Sequence, residues 1–151
     1  MEGVTRSDDD LGIRFLSAVA RLNRWVNKHA DLPVPHAQAR LLSLVEEFGT
    51  ARIGELAAAD HCSQPTMTTQ VQRLEAAGLL RRTADDTDAR ASLVALTPAG
   101  AAALEDARRA RAAVFGPVLD ELDPADREAM SRMVALTDDL LRRGREARET
   151  D

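Results

Sequence analysis

Residues 63–76 read Ser-Gln-Pro-Thr-Met-Thr-Thr-Gln-Val-Gln-Arg-Leu-Glu-Ala. Ser63 and Pro65 suit a helix start, where an oxygen cap and an early proline are both favoured. At helical spacing Met67, Val71 and Leu74 fall on one face, and Thr69, Arg73 and Ala76 fall on the other, with Thr66 and Gln72 at the flanks. One face is thus apolar and the other carries short hydroxyls, amides and a guanidinium. Those groups donate to phosphates and base edges, and the unpaired N–H groups of a helix start hold phosphate. An arginine in this place can pair with guanine or a phosphate. The candidate DNA contacts on this helix are Ser63, Gln64, Thr66, Thr68, Thr69 and Arg73.

A second constellation follows. Gly78 ends the helix, Leu79-Leu80-Arg81-Arg82 begins a strand, and an acidic turn runs to Asp88-Ala89-Arg90. Ser92 to Leu96 reads as the returning strand. On extended backbone Asp88 and Arg90 point to the same side, so the carboxylate can orient the guanidinium. A pre-oriented arginine suits a narrow, electronegative minor groove. The same pair also reads as an exposed ion pair of little energetic weight. Asp85 and Asp86 are unwelcome near phosphate and are expected to turn outward. Helix, hairpin and helix in this order make a winged helix, whose helix fits the major groove.

The flanking sequence must position this head. Residues 8–30 read as a helix, with Asp8, Asp9 and Asp10 at the positive dipole end and Leu11, Phe15, Val19, Leu22 and Val26 as one stripe. Leu32-Pro33-Val34-Pro35 breaks it. A second helix over 35–48 carries Leu41, Leu42, Leu44, Val45 and Phe48 and stops at Gly49. Thr50 reads as a cap region for a third helix over 52–60, with Ile53, Leu56 and Ala57 inward. Thr97 and Pro98 open a long helix that Gly116-Pro117 is expected to kink or end. Asp123-Pro124-Ala125-Asp126 starts a last helix with Met130, Met133, Val134, Thr137, Leu140 and Leu141 on one face, and its tail from Gly144 is expected to fray. Amphipathic helices at both ends need a partner surface, which two interleaved chains would supply.

The bulk numbers agree with a helical protein. The chain has 151 residues, 3% aromatics and no tyrosine, so Leu, Ala and Val do the packing. No stretch is long and apolar enough for a membrane span, and the acidic start does not read as a signal peptide. A single cysteine excludes an intrachain disulfide and fits a reducing cytoplasm. Net charge is −5, and residues 63–97 hold four arginines against four carboxylates. A neutral reading head needs few, well-placed contacts and dimer avidity. No phosphate loop, nucleophile elbow or H-E-x-x-H motif is present, so no enzyme activity is expected.

The chain resembles MarR-type (multiple antibiotic resistance) winged-helix transcriptional regulators. The likeness rests on Glu55-Leu56-Ala57, Thr66-Met67-Thr68, Arg73-Leu74-Glu75, Gly78-Leu79-Leu80-Arg81-Arg82, Asp88-x-Arg90 and Leu96-Thr97-Pro98-Ala99-Gly100. It spans roughly residues 11–143. It departs at residue 89, alanine where a basic residue is common, and at Gly116-Pro117. The resemblance implies a mainly α fold with a small β-hairpin wing. It implies a helical dimerisation region over 1–34 and 101–151 and a winged helix-turn-helix over 35–100. It further implies a homodimer on a pseudo-palindromic double-stranded DNA operator, usually a repressor, released by a small lipophilic or phenolic ligand. Arg90 would enter the minor groove with Asp88 positioning it.

Trp25, His29, His36 and Arg40 lie on the first two helices, which border the effector cleft in such proteins. Arg40 can meet an anion and Trp25 can stack on a ring. The plainer reading makes Trp25 a core residue and the others surface groups. Cys62 precedes the reading helix, where a thiol can become a redox sensor, or it simply fills a turn. Asp60-His61-Cys62 are metal-ligand types packed too closely to converge on one ion, so no metal or cofactor is expected. Two alternatives stand beside the DNA reading: a winged-helix protein-interaction module without DNA binding, and a redox regulator built on Cys62.

Overall fold

The computed structural model describes residues 5–149, and the side chains of residues 5–9, 89, 90, 148 and 149 lie outside that description. Helix α1 spans Thr5–His29, α2 His36–Phe48, strand β1 Thr50–Arg52, α3 Ile53–Ala59 and α4 Gln64–Ala76. Strands β2 (Leu80–Asp85) and β3 (Asp88–Leu96) form the hairpin, and α5 (Pro98–Asp120) and α6 (Pro124–Glu149) complete the chain. The chain divides into two compact units, Met1–Ala113 and Val114–Asp151.

The first unit holds a core of α2, α3, α4 and the sheet. Leu42, Val45, Leu56, Met67, Val71, Leu74 and Val94 are fully buried and pack as one cluster with Leu41, Ala51, Ala57, Leu80 and Leu104. The helical periodicity therefore predicts the inward faces of α2, α3 and α4 correctly. Phe48 is the exception: it falls at the end of α2 and is exposed.

Strand β1 replaces the cap expected at Thr50. Ala51 is buried and pairs with Val94, while Thr50 and Arg52 face outward. The sheet is antiparallel with order β1-β3-β2. Three residues are too few for alternation to show in the sequence, and the strand exists because β3 offers it a hydrogen-bonding edge. Arg52 rather than Thr50 precedes α3, and its N–H donates to Glu55 Oε2 at 2.7 Å.

The helix ends follow local chemistry. At the end of α4, Gly78 takes φ +73°, and the Leu79 N–H donates to the Leu74 carbonyl at 2.8 Å, a Schellman closure. Thr97 then ties α5 to that turn. Its hydroxyl donates to the Gly78 carbonyl at 2.6 Å and accepts the Gly100 N–H at 3.0 Å. Gly100 is packed so closely that an added Cβ would lie 2.0 Å from the Leu79 carbonyl oxygen.

Two expectations about the later helices are corrected. Gly116-Pro117 neither ends nor divides α5, which carries Pro117 inside it and runs to Asp120. Likewise α6 does not stop at Gly144 but continues to Glu149. Arg142 pairs with Asp139 and Glu146, and Arg143 with Asp139, so ion pairs at helical spacing span the glycine. At the other end, α1 begins at Thr5, three residues earlier than predicted.

Candidate nucleic-acid interface

Helix α4 is sealed on one face and open on the other. Met67, Val71 and Leu74 are buried, whereas Thr66, Thr69, Gln72, Arg73 and Ala76 are exposed. Ser63 is the N-cap: its hydroxyl oxygen accepts the Thr66 N–H at 3.3 Å and lies 2.8 Å from the Thr66 hydroxyl. Thr69 donates its hydroxyl to the Pro65 carbonyl at 3.0 Å. Gln64 is exposed and its amide sits over the start of α3, where a Cβ on Gly54 would come within 2.7 Å of Nε2. Thr68 is half-buried. Five of the six helix candidates therefore lie on open surface, and Thr68 sits at its edge.

The turn before α4 is a packing feature. His61 adopts φ 53°, and the Cys62 N–H donates to the Ala57 carbonyl at 3.0 Å. Cys62 is partly buried against the core cluster. That placement supports its reading as a small turn-filling residue.

The hairpin shows what sequence reasoning missed. Asp86 is exposed as expected, but Asp85 is turned inward and only 7% exposed. Its Oδ2 accepts from Arg52 Nε at 2.8 Å, across 33 residues of chain. Its Oδ1 accepts the Thr87 N–H at 2.8 Å and the Thr87 hydroxyl at 2.6 Å. Arg52 also donates to the Thr87 hydroxyl oxygen at 3.2 Å. These bonds, those from Thr87 first and Arg52 next, hold the Asp85 carboxyl down at about 2. The expectation that Asp85 faces outward is thus overturned, because a cation on β1 gives it a partner nearer than water. The side-chain cluster coincides with a register slip: Ala84 faces Ser92, yet Asp85 faces Asp88. No local signal marks Arg52 as the partner.

Asp88 is exposed at the start of β3. Arg90 lies on β3 by its backbone, and its side chain is outside the described residues. Arg81 is exposed, and Arg82 Nε lies 3.0 Å from Glu75 Oε2, joining β2 to α4.

The four effector candidates separate into two pairs. Trp25 is 40% exposed rather than core, and its ring lies 5.4 Å from that of His29, whose Nδ1 donates to the Trp25 carbonyl. His36 and Arg40 instead line a cavity of about 310 Å3 between α1, α2 and α5 of the first unit. Asn27 Nδ2 donates to His36 Nε2 there. Arg108 and Arg111 add two more cations to the wall. Arg108 binds Glu46 and thereby lowers its carboxyl, Arg111 donates to Asn23 at 2.9 Å, and Arg40 donates to Asp60 at 2.9 Å.

The comparisons with known proteins agree with this geometry. The MarR family model matches residues 34–92, from just before α2 into the first half of β3. The uncharacterized HTH-type transcriptional regulator Mb0904 of Mycobacterium bovis is 30% identical over 138 residues, 88% of this chain and 96% of the relative. Among solved structures, wild-type apo MarR from E. coli superposes with TM-score 0.71 at 20% identity, covering 84% of this chain and 95% of that one. A MarR family protein from Bacillus stearothermophilus gives TM-score 0.71 at 20% identity, covering 92% and 98%. With its winged-helix fold, its sealed and capped α4 and its full-length relative among transcriptional regulators, this chain belongs to the MarR family of transcriptional regulators.

Proposed function

We propose that the protein acts as a homodimeric, sequence-specific repressor on a pseudo-palindromic DNA operator and is released by a small lipophilic or phenolic anion. One observation carries the DNA reading: α4 buries its whole apolar face and offers Ser63, Thr66, Thr69 and Arg73 on open surface, with the hairpin next in the chain. The wing arginine Arg90, positioned by Asp88, completes the reading head. Residues 35–100 would serve as the winged helix-turn-helix and the flanking helices 1–34 and 101–151 as the dimerisation region.

Exposed apolar side chains support the dimer. On α1, Leu11, Ile13, Leu16 and Leu22 are exposed, and on α6, Met133, Val134, Leu136, Leu140 and Leu141 are exposed. Such surfaces on an isolated chain mark an association site. Two-fold pairing would set two α4 helices about one DNA turn apart, ~34–36 Å.

The arginine-lined cavity supports the ligand reading. An anion seated near His36 and Arg111 would compete with Asp60 for Arg40. Because Asp60 caps the end of α3, that competition would reach the turn into α4. Linkage then requires that the ligand bind free protein more tightly than DNA-bound protein, by the factor it weakens DNA binding.

Affinity selection on a randomised duplex pool tests the proposal. The expected result is a palindrome with half-sites about one turn apart. Arg73→Ala and Arg90→Ala should each weaken binding to it by about tenfold or more, on the order of 1–3 kcal/mol. The logarithm of the affinity should fall linearly with the logarithm of salt concentration as counterions are released. A flat salt response, with no enriched site from folded protein, would favour the protein-interaction module instead.

A further inference from the structure

The cluster of Arg52, Asp85 and Thr87 makes none of the DNA contacts assigned above, yet it ties the hairpin tip to the start of α3. Arg52 is the last residue of β1 and the residue before α3. Asp85 is the last residue of β2, and Thr87 is at the hairpin tip. Four hydrogen bonds of 2.6–3.2 Å link the three side chains and the Thr87 N–H. The carboxylate has both oxygens occupied, and the guanidinium reaches both Asp85 and Thr87. A surface ion pair of ordinary kind does none of this: its carboxylate faces water, whereas Asp85 is nearly buried.

We propose that Arg52, Asp85 and Thr87 form a clip that positions the wing on DNA by fixing the hairpin tip to the start of α3. The proposal rests on the DNA-binding reading of this chain. Without the clip the tip would carry three carboxylates, Asp85, Asp86 and Asp88, toward phosphate. The clip turns one of them inward and offsets its charge with Arg52. It also spans the site of the register slip between Ala84 and Asp85, where ladder pairing is irregular and side chains must set the path of the chain. Arg52, Asp85 and Thr87 are positioning residues: they act on DNA through the path they impose on Asp88 and Arg90.

The sign of one substitution separates this role from plain electrostatics. If Asp85 were only an acid near phosphate, Asp85→Asn would strengthen DNA binding by removing a repulsive charge. A clip predicts the opposite, since the amide keeps one acceptor oxygen and sets an NH2 donor where the other oxygen accepted. Thr87→Val removes the bridging hydroxyl at constant charge, and Thr87→Ser keeps it. Thr87 is exposed at the tip, so neither variant disturbs the core.

The test is a titration of wild type, Asp85→Asn, Thr87→Val and Thr87→Ser against a duplex selected by the wild-type protein, with amide hydrogen exchange of residues 84–92 measured on the free proteins. Asp85→Asn and Thr87→Val are expected to weaken binding by about tenfold, since the complex must then order the tip. They should also speed exchange of the wing amides alone and relax base preference at the outer positions of the site. Thr87→Ser should stay near wild type. Tighter binding by Asp85→Asn, or equal behaviour of Thr87→Val and Thr87→Ser, would overturn the clip while leaving the DNA reading intact. A wild-type protein that selects no duplex would overturn the DNA reading, and the positioning role with it.

Discussion

At the scale of single residues, Asp85 shows how position overrides type. An aspartate in a Asp-Asp-Thr-Asp run reads as solvated turn chemistry. Its neighbour Asp86 behaves that way, whereas Asp85 is drawn in by Thr87 and by Arg52. The pH consequence follows from the direction of the shift. A carboxyl held at about 2 against an ordinary 3.8 contributes stability that is fully present above the ordinary value and is lost as pH falls toward 2. Urea unfolding of wild type and Asp85→Asn should therefore differ by a constant amount above about pH 5 and converge as acid is added below about pH 4. Curves that stay parallel through that window would show that the carboxylate carries no such linkage. Arg40 teaches a related lesson. Its charge reads in the sequence as a group that can meet an anion, but in the structure it is already committed to Asp60, and an anion there would have to displace that carboxylate.

At the scale of elements, the junction between α4 and α5 is closely constrained. Gly78 supplies a left-handed turn, Thr97 bonds both to that turn and to the start of α5, and Gly100 lets the α5 backbone approach Leu79. Helix α4 is thereby fixed to the helix that leaves the hairpin. Gly100→Ala is expected to destabilise the protein by about 1–3 kcal/mol, because a backbone carbonyl cannot move aside as a flexible side chain can. Thermal melting checks it, and an unchanged melting temperature would show that α5 can shift without cost. By contrast, Gly54→Ala meets only the end of the Gln64 side chain and should be tolerated with a new Gln64 rotamer. Pro117 marks the limit of element rules. A proline inside a helix removes one i→i−4 hydrogen bond and costs about 3 kcal/mol or more, yet α5 runs past Pro117 to Asp120.

At the scale of the whole molecule, the exposed apolar surface of α1 and α6 is what the proposed dimer would cover. The exposed leucines of α1 and the exposed leucines, valine and methionine of α6 leave large apolar areas in water. Leu16→Asp on α1 and Leu140→Asp on α6 are expected to shift the protein to monomers in sedimentation. They should weaken operator binding by about a hundredfold or more through lost avidity, without changing the fold of the reading head. Monomeric wild-type protein at micromolar concentration would refute the dimer. The net charge of −5 gives no general attraction for DNA, so the proposed specificity rests on placed contacts rather than on a basic field.

The sequence by itself determined what local periodicity and end chemistry can determine. The buried faces of α2, α3 and α4, the Ser63 cap, the Gly78 stop and the helix start at Pro124 all follow from residues within a turn or two of one another. The motif residues Glu55 to Gly100 carried the family as well. Only the tertiary structure decided what depends on residues far apart in the chain. Strand β1 needed β3, the inward turn of Asp85 needed Arg52, and the cavity needed Arg40, Arg108 and Arg111 to come together from two helices. The reason is physical: a hydrogen bond across 33 residues leaves no period in the sequence, and its partners are chosen only once the core has closed around them.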